Sequence, residues 1–245
     1  MHYQNGATSG GDDRNTTGCP FHSHASQPTY FSDVIASGKL TLAEVFTNFS
    51  EIMFAAADTT SNALCFILYL LATNPEVQAR LREEVDEVVQ NNGLNVNPVG
   101  KMNYLDSVIK ETLRLYPLAT MQCRILEEDI ALAGYLVPKG TMFVMNHFAA
   151  SRNPEVFEDP EEFRPERWIR DERNRMHHHP FAVMPFGYGK RTCLGKRFAR
   201  MELHMAVAKI IHKFQVKPIE SMPFDPVVRT ILTPGDQVPV RFVDR

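Results

Sequence analysis

The sequence has no long apolar run, only four cysteines, one tryptophan and little net charge, and each shortage excludes something. The longest unbroken apolar run, Leu64-Cys65-Phe66-Ile67-Leu68-Tyr69-Leu70-Leu71, is well short of the roughly 20 residues a bilayer-spanning helix needs, so it reads as a buried helix. Cys19, Cys65, Cys123 and Cys193 lie far apart with no C-x-x-C pair, which speaks against a zinc site and against a secreted disulfide framework. A net charge of −3 gives no global basic field for nucleic acid, and no nucleic-acid partner is expected. No targeting segment is visible: residues 1–20 carry Asp12 and Asp13 against Arg14, unlike an Arg-rich transit peptide. Residues 1–28, rich in Gly, Ser, Thr, Asn and His and without periodicity, read as irregular or disordered.

What is present is a chain of 245 residues, 44% hydrophobic, enough for a core. Thr41 and Glu44 form a capping-box pattern that opens a helix from Leu42 to about Thr73, stopped by Asn74-Pro75. Its apolar content all round predicts burial. Pro75 starts a second helix to about Val89, with Val77, Leu81, Val85 and Val88 as its apolar stripe and Arg82, Glu83, Glu84, Asp86 and Glu87 facing water. Asn103, with Asp106, looks like the cap of a third helix ending at Tyr116. Short β-prone runs follow at 129–132, 136–137 and 141–144, with turns at Gly134 and at Pro138-Lys139-Gly140. A last helix is expected from Lys196 to Phe214, with Phe198, Met201, Met205, Ala208 and Ile211 as core. Two β-prone tail segments, 227–232 and 238–243, are separated by Pro234-Gly235 and read as a hairpin. His177-His178-His179 is a weak metal-binding signal, because adjacent histidines on an extended loop diverge.

Between Met184 and Gly195 the residues change character. Phe186, Gly189, Arg191, Cys193 and Gly195 stand at the spacing F-x-x-G-x-R-x-C-x-G, just ahead of the last helix. An ionised thiolate at such a place is favoured by unpaired helix amides and by the helix dipole. Gly187 and Gly189 permit a tight turn, and residues 186–200 hold Lys190, Arg191, Lys196, Arg197 and Arg200 with no acid, a local +5 patch suited to anionic ligands or an acidic partner.

This stretch resembles the haem-binding loop of the cytochrome P-450 family, and three more motifs occur in the family's order. Ala55-Ala56-Ala57-Asp58-Thr59-Thr60 is similar to the distal-helix segment, with Ala56 in place of the usual glycine. Glu111-Thr112-Leu113-Arg114 resembles the E-x-x-R motif, and Phe163-Arg164-Pro165-Glu166-Arg167-Trp168 resembles the segment that completes it. The resemblance, over about residues 30–245, implies an α+β fold, mainly helical with small sheets, beginning just before the long distal helix. Residues 29–245 would be a partial catalytic domain, and the family's N-terminal half would be missing.

It further implies haem b (iron protoporphyrin IX) as cofactor, with Cys193 as iron ligand, Arg191 and Arg124 on the propionates, Phe186 shielding the sulfur, and Gly187, Gly189 and Gly195 shaping the loop. Asp58 and Thr59 would relay protons during oxygen activation. Glu111, Arg114 and Arg167 would form a structural cluster, and Ala55, Leu118, Ile231 and Leu232 would line the substrate pocket. The implied reaction is insertion of one oxygen atom of dioxygen into a lipophilic substrate. Lys110-Glu111-Thr112-Leu113-Arg114-Leu115-Tyr116-Pro117 and Lys196-Arg197 look like the mitochondrial branch. That branch implies a sterol or secosteroid substrate, a ferredoxin donor docking on Lys110, Lys196, Arg197 and Arg200, and the matrix side of the inner mitochondrial membrane. The alternatives are a diflavin reductase at the endoplasmic reticulum membrane, a haem-thiolate isomerase or peroxygenase, or a non-enzymatic fragment that binds haem weakly or serves a partner. Membrane association is implied for a full-length protein.

Overall fold

The computed structural model describes residues 29–95, 100–169 and 178–245. The irregular segment expected at 1–28, and His177 of the histidine run, lie outside the described residues. The chain forms two compact units, Met1–Ile52 and Met53–Arg245.

In the first unit, helix α1 (Tyr30–Ala36) is opened by a Thr29–Ser32 capping box. Helix α2 (Leu42–Thr73) begins at the predicted box, where Glu44 accepts from the Thr41 amide at 2.8 Å and Thr41 Oγ1 accepts from the Glu44 amide. The expectation of all-round burial fails for the first half of α2: Phe46, Met53 and Phe54 are more than half exposed. Apart from Val45 in the first turn, burial begins at Ala63, and Phe66, Ile67 and Leu71 lose all contact with solvent. By length and composition α2 could cross a membrane, yet its C-terminal third is occupied by protein contacts, as in a core helix.

The second unit packs that part of α2 against α3 (Pro75–Asn92), α4 (Asn103–Leu115) and α6 (Lys196–Lys213). Leu81, Val85, Leu105, Val108, Val207 and Ile211 close the core, each fully buried. Asn103 does not cap α4. The N-cap is Met102, without a side-chain bond, and the carboxylate of Glu84 on α3 accepts from the amides of Tyr104 and Leu105 at 2.8 and 2.9 Å. Glu84, Asp86 and Arg82 therefore do not simply face water: Asp86 binds Arg245, and Arg82 donates to the Phe214 carbonyl. A carboxylate reaching from a neighbouring helix satisfies two orphan amides at once, which a short Asn side chain could not.

Among the described residues there are four two-stranded antiparallel sheets. β1 (Met121–Ile125) pairs with β4 (Met142–Asn146), and β2 (Ile130–Leu132) with β3 (Tyr135–Val137) around a Gly134 turn. A one-turn helix α5 (His147–Ala150) follows β4. The tail is not one hairpin. β6 (Val227–Val228) pairs with β7 (Leu232–Thr233), whereas β8 (Val240–Asp244) pairs with β5 (Phe214–Pro218), a strand the sequence pattern did not reveal. On α6 the predicted stripe is rotated at its N-terminal end: Phe198 and Met201 are exposed, while Leu203, His204, Val207, Ala208 and Ile211 are buried.

Candidate functional site

The cysteine loop is built from local backbone chemistry. The Cys193 amide donates to the Phe186 carbonyl at 2.8 Å, closing the loop at its neck. Gly187 and Gly189 sit at φ +69° and +73°, the left-handed region open to glycine, and a short 3-10 turn spans Gly189–Arg191. Gly195 (φ −82°) is the N-cap of α6, whose first turn carries no acid. Cys193 thus stands two residues before the N-cap, exposed, with the positive end of the dipole behind it. Phe186 is half-buried against the core, with Lys196 Nζ 5.8 Å from its ring centre.

Strand β1 lies against this loop: a Cβ at Gly187 would meet Gln122 Nε2 at 3.2 Å. Arg124 lies two residues along the same strand, on the same face as Gln122. Arg124 is exposed and, among the described residues, its guanidinium donates to the neighbouring Cys123 carbonyl, and Arg191 is exposed two residues before the cysteine. Large apolar side chains, Tyr188, Leu194 and Phe198 around the loop and α6, stand in solvent nearby in sequence, more than two-thirds exposed. A soft thiol donor, two exposed guanidiniums and uncovered apolar side chains form a donor set that fits a flat, apolar macrocycle bearing carboxylates.

On α2, Thr59 Oγ1 donates to the Ala55 carbonyl at 2.7 Å, and Asp58 accepts from Asn62 Nδ2 at 3.2 Å. The helix runs through this stretch without interruption. Ala55 is exposed. Leu118 and Leu232 are joined by a bond from the Leu232 amide to the Leu118 carbonyl at 2.8 Å, and Leu232 is buried while Ile231 is half-buried.

Glu111 is the centre of a buried cluster. Its Oε1 accepts from Arg114 Nη2 at 2.8 Å, the Arg164 amide at 3.0 Å and Arg167 Nε at 3.2 Å. Its Oε2 accepts from Arg114 Nε at 2.9 Å and Trp168 Nε1 at 2.8 Å. Burial pushes the Arg167 guanidinium down, against the pull of the Glu111 charge. Trp168 escaped the sequence reading, although a lone Trp beside an arginine motif is a signal that its indole N–H needs an acceptor.

The expected basic surface divides in two. Lys110 and Arg200 both bind Asp106, Lys110 at 2.8 Å, whereas Lys196 and Arg197 have no ion pair among the described residues. Among the described residues no group of three His, Cys, Asp or Glu side chains could hold a metal.

A model of the cytochrome P450 family matches residues 25–239. The chain belongs to the cytochrome P450 family. Its members are haem-thiolate proteins. The human mitochondrial sterol 26-hydroxylase is 40% identical over 88% of this P450 chain and 41% of its own length. The rat mitochondrial 25-hydroxyvitamin D-1 alpha hydroxylase is 38% identical over 84% and 42%. The mouse mitochondrial 1,25-dihydroxyvitamin D(3) 24-hydroxylase is 36% identical over 91% and 43%. The P450 chain therefore spans about two-fifths of the length of these curated relatives.

Proposed function

We propose that this P450 chain carries the haem-thiolate site of a monooxygenase that hydroxylates a lipophilic substrate of the sterol or secosteroid class. The observation that carries the reading is the presentation of Cys193, exposed on a glycine-shaped loop at the N-terminal end of α6, with Arg191 beside it and Arg124 on the adjoining strand.

Haem, when bound, supplies the one-electron and dioxygen chemistry. The chain's own residues have narrower tasks. Cys193 Sγ, exposed at the N-terminal end of α6, would be the iron ligand, and Phe186 would keep water from it. Arg191 and Arg124 would bind the two propionates and so fix the macrocycle's rotation. Gly187, Gly189 and Gly195 keep the loop tight enough for that approach. Thr59 Oγ1 would pass a proton only after releasing the Ala55 carbonyl, with Asp58 as the nearby acid. Ala55, Leu118, Ile231 and Leu232 would border the substrate. Their apolar character, together with the sterol and vitamin D hydroxylases among the relatives, supports that substrate class.

The same relatives are mitochondrial, which supports a mitochondrial protein acting on the matrix side of the inner membrane with a ferredoxin as donor. Lys196 and Arg197, with Lys110 and Arg200, would be the docking cations. A second reading, a haem-binding or partner-binding fragment without turnover, is favoured by the exposed Phe54 and Met53.

The test is reconstitution of the purified chain with haem, followed by the reduced carbon monoxide spectrum. A thiolate-type band that disappears in Cys193→Ala supports the assignment, and a band that survives the substitution overturns it. Sterol hydroxylation with a ferredoxin and its reductase then separates the monooxygenase from the fragment.

A further inference from the structure

The partition of the basic surface has a chemical cause, and it lies on another helix. Between Phe186 and Arg200 there is no acid, but Asp106 enters from α4 and takes two of the four expected docking cations. Its Oδ2 accepts from Lys110 Nζ at 2.8 Å, one turn along the same helix, and its Oδ1 binds Arg200 Nη2 of α6. His204 adds a third contact, with Nε2 3.5 Å from Asp106 Oδ1 and Nδ1 2.6 Å from the Arg200 carbonyl. The Asp106 side chain is 21% exposed, against 43% for Lys110 and 44% for Arg200, so the carboxylate sits beneath cations that reach solvent.

We propose that Asp106 is a built-in competitor for the acidic electron donor, occupying Lys110 and Arg200 so that the docking complex stays weak and short-lived. The inference rests on the docking role given above to Lys110, Lys196, Arg197 and Arg200. A donor carboxylate that approaches Lys110 or Arg200 must also approach Asp106, and like charges a few ångströms apart oppose it. Lys196 and Arg197, which have no ion pair among the described residues, provide the unopposed attraction. Electron-transfer encounters are characteristically weak, since the donor must leave after each delivery. Asp106 serves that requirement without removing a cation from the surface.

The experiment measures the dissociation constant of an acidic [2Fe–2S] ferredoxin for the holoprotein as a function of salt. Asp106→Asn, which keeps the shape and loses the charge, is expected to tighten binding roughly fivefold at low salt. The gain should vanish near 0.5 M salt, where the screening length falls to about 4 Å. Asp106→Ser reads the same quantity if the amide is not tolerated, and Asp106→Glu, which keeps the charge, should leave affinity near its starting value. An unchanged or weaker complex in the uncharged variants overturns the proposal, even if melting temperature falls, since a purely structural role would move stability alone. Lys196→Gln and Arg197→Gln test the docking surface separately: if they leave affinity intact, the surface itself is wrong, whereas weakening there without tightening at Asp106 removes only the competitor.

Discussion

Arg114 donates from Nε and Nη2 to the two carboxylate oxygens of Glu111, at 2.9 and 2.8 Å, and neither side chain is exposed. The remaining Arg114 donors go to the carbonyls of Ser151, Pro160 and Glu162. Two charges removed from water are tolerated only when every lone pair and proton is satisfied, and here the partners come from one helix and a long loop. The cluster therefore ties the backbone at Ser151, Pro160, Glu162 and Arg164 to α4.

Removing one partner leaves the other charge buried and alone. Arg114→Ala or Glu111→Ala is expected to cost about 3–5 kcal/mol in denaturant unfolding. Arg114→Lys should recover little of it, since an ammonium cannot span both carboxylate oxygens and three carbonyls. A loss under about 1 kcal/mol would mean that water enters the cluster, contrary to its full burial.

Glu84 predicts a smaller effect with a local readout. Its carboxylate is the cap of α4, so Glu84→Ala should cost about 1–2 kcal/mol, as loss of a strong N-cap does. Hydrogen exchange is the sharper check. The Tyr104 and Leu105 amides should lose protection first, with the middle of α4 little changed.

The contrast between Thr41 and Asn103 shows where the sequence was legible. Thr41 and Glu44 are three residues apart, so their reciprocal bonds are local and could be read directly. Glu84 lies about twenty residues before the amides it caps, and only packing of α3 on α4 brings it there. The same limit explains β8, which pairs with β5 across the whole tail, and Asp106, whose partners Arg200 and His204 are on another helix. The α6 stripe failed for a different reason. Large apolar residues occur on more than one face of that helix, so Phe198 and Met201 could not be told from core residues by spacing alone. Helix extents and the glycine turns, governed by nearest neighbours, followed the pattern closely.

Asp106 also gives a pH dependence. Burial alone would raise its carboxyl, but bonds from His204 and Lys110 and the charges of Lys110 and Arg200 outweigh it and hold the group well below the usual carboxylate range. A depressed native value means stabilisation that is present above the unfolded value of about 3.9 and lost as pH falls below it. Unfolding free energy measured from about pH 6 down to pH 2 should therefore drop more steeply in the wild-type chain than in Asp106→Asn. Parallel curves would show that the ion pairs do not discriminate between native and unfolded chains.

The two loop glycines should respond unequally to alanine. Both have positive φ, which costs an L-residue about 1–2 kcal/mol. At Gly189 the new Cβ would meet nothing within 4 Å, so that cost is the whole effect. At Gly187 it would also press on Gln122 Nε2 at 3.2 Å and approach the Arg191 carbonyl at 3.7 Å, tying the loop to β1. Gly187→Ala should therefore lower stability more than Gly189→Ala and weaken haem retention on dilution. Equal losses would mean that Gln122 swings aside freely.

Thr59 offers a test of proton handling. Its hydroxyl is committed to the Ala55 carbonyl at 2.7 Å within an unbroken helix, so a relay requires the rotamer to change before the proton moves. Thr59→Ala removes the hydroxyl and leaves the helix intact, since the back-bond contributes little to helix stability. The expected outcome is unchanged haem binding and melting temperature, with oxygen consumption rising several-fold relative to product as peroxide is released. Thr59→Ser keeps the hydroxyl and should restore most of the coupling. If Thr59→Ala turns over with its coupling intact, the proton reaches the site by another route, and Asp58 loses its assigned role as well.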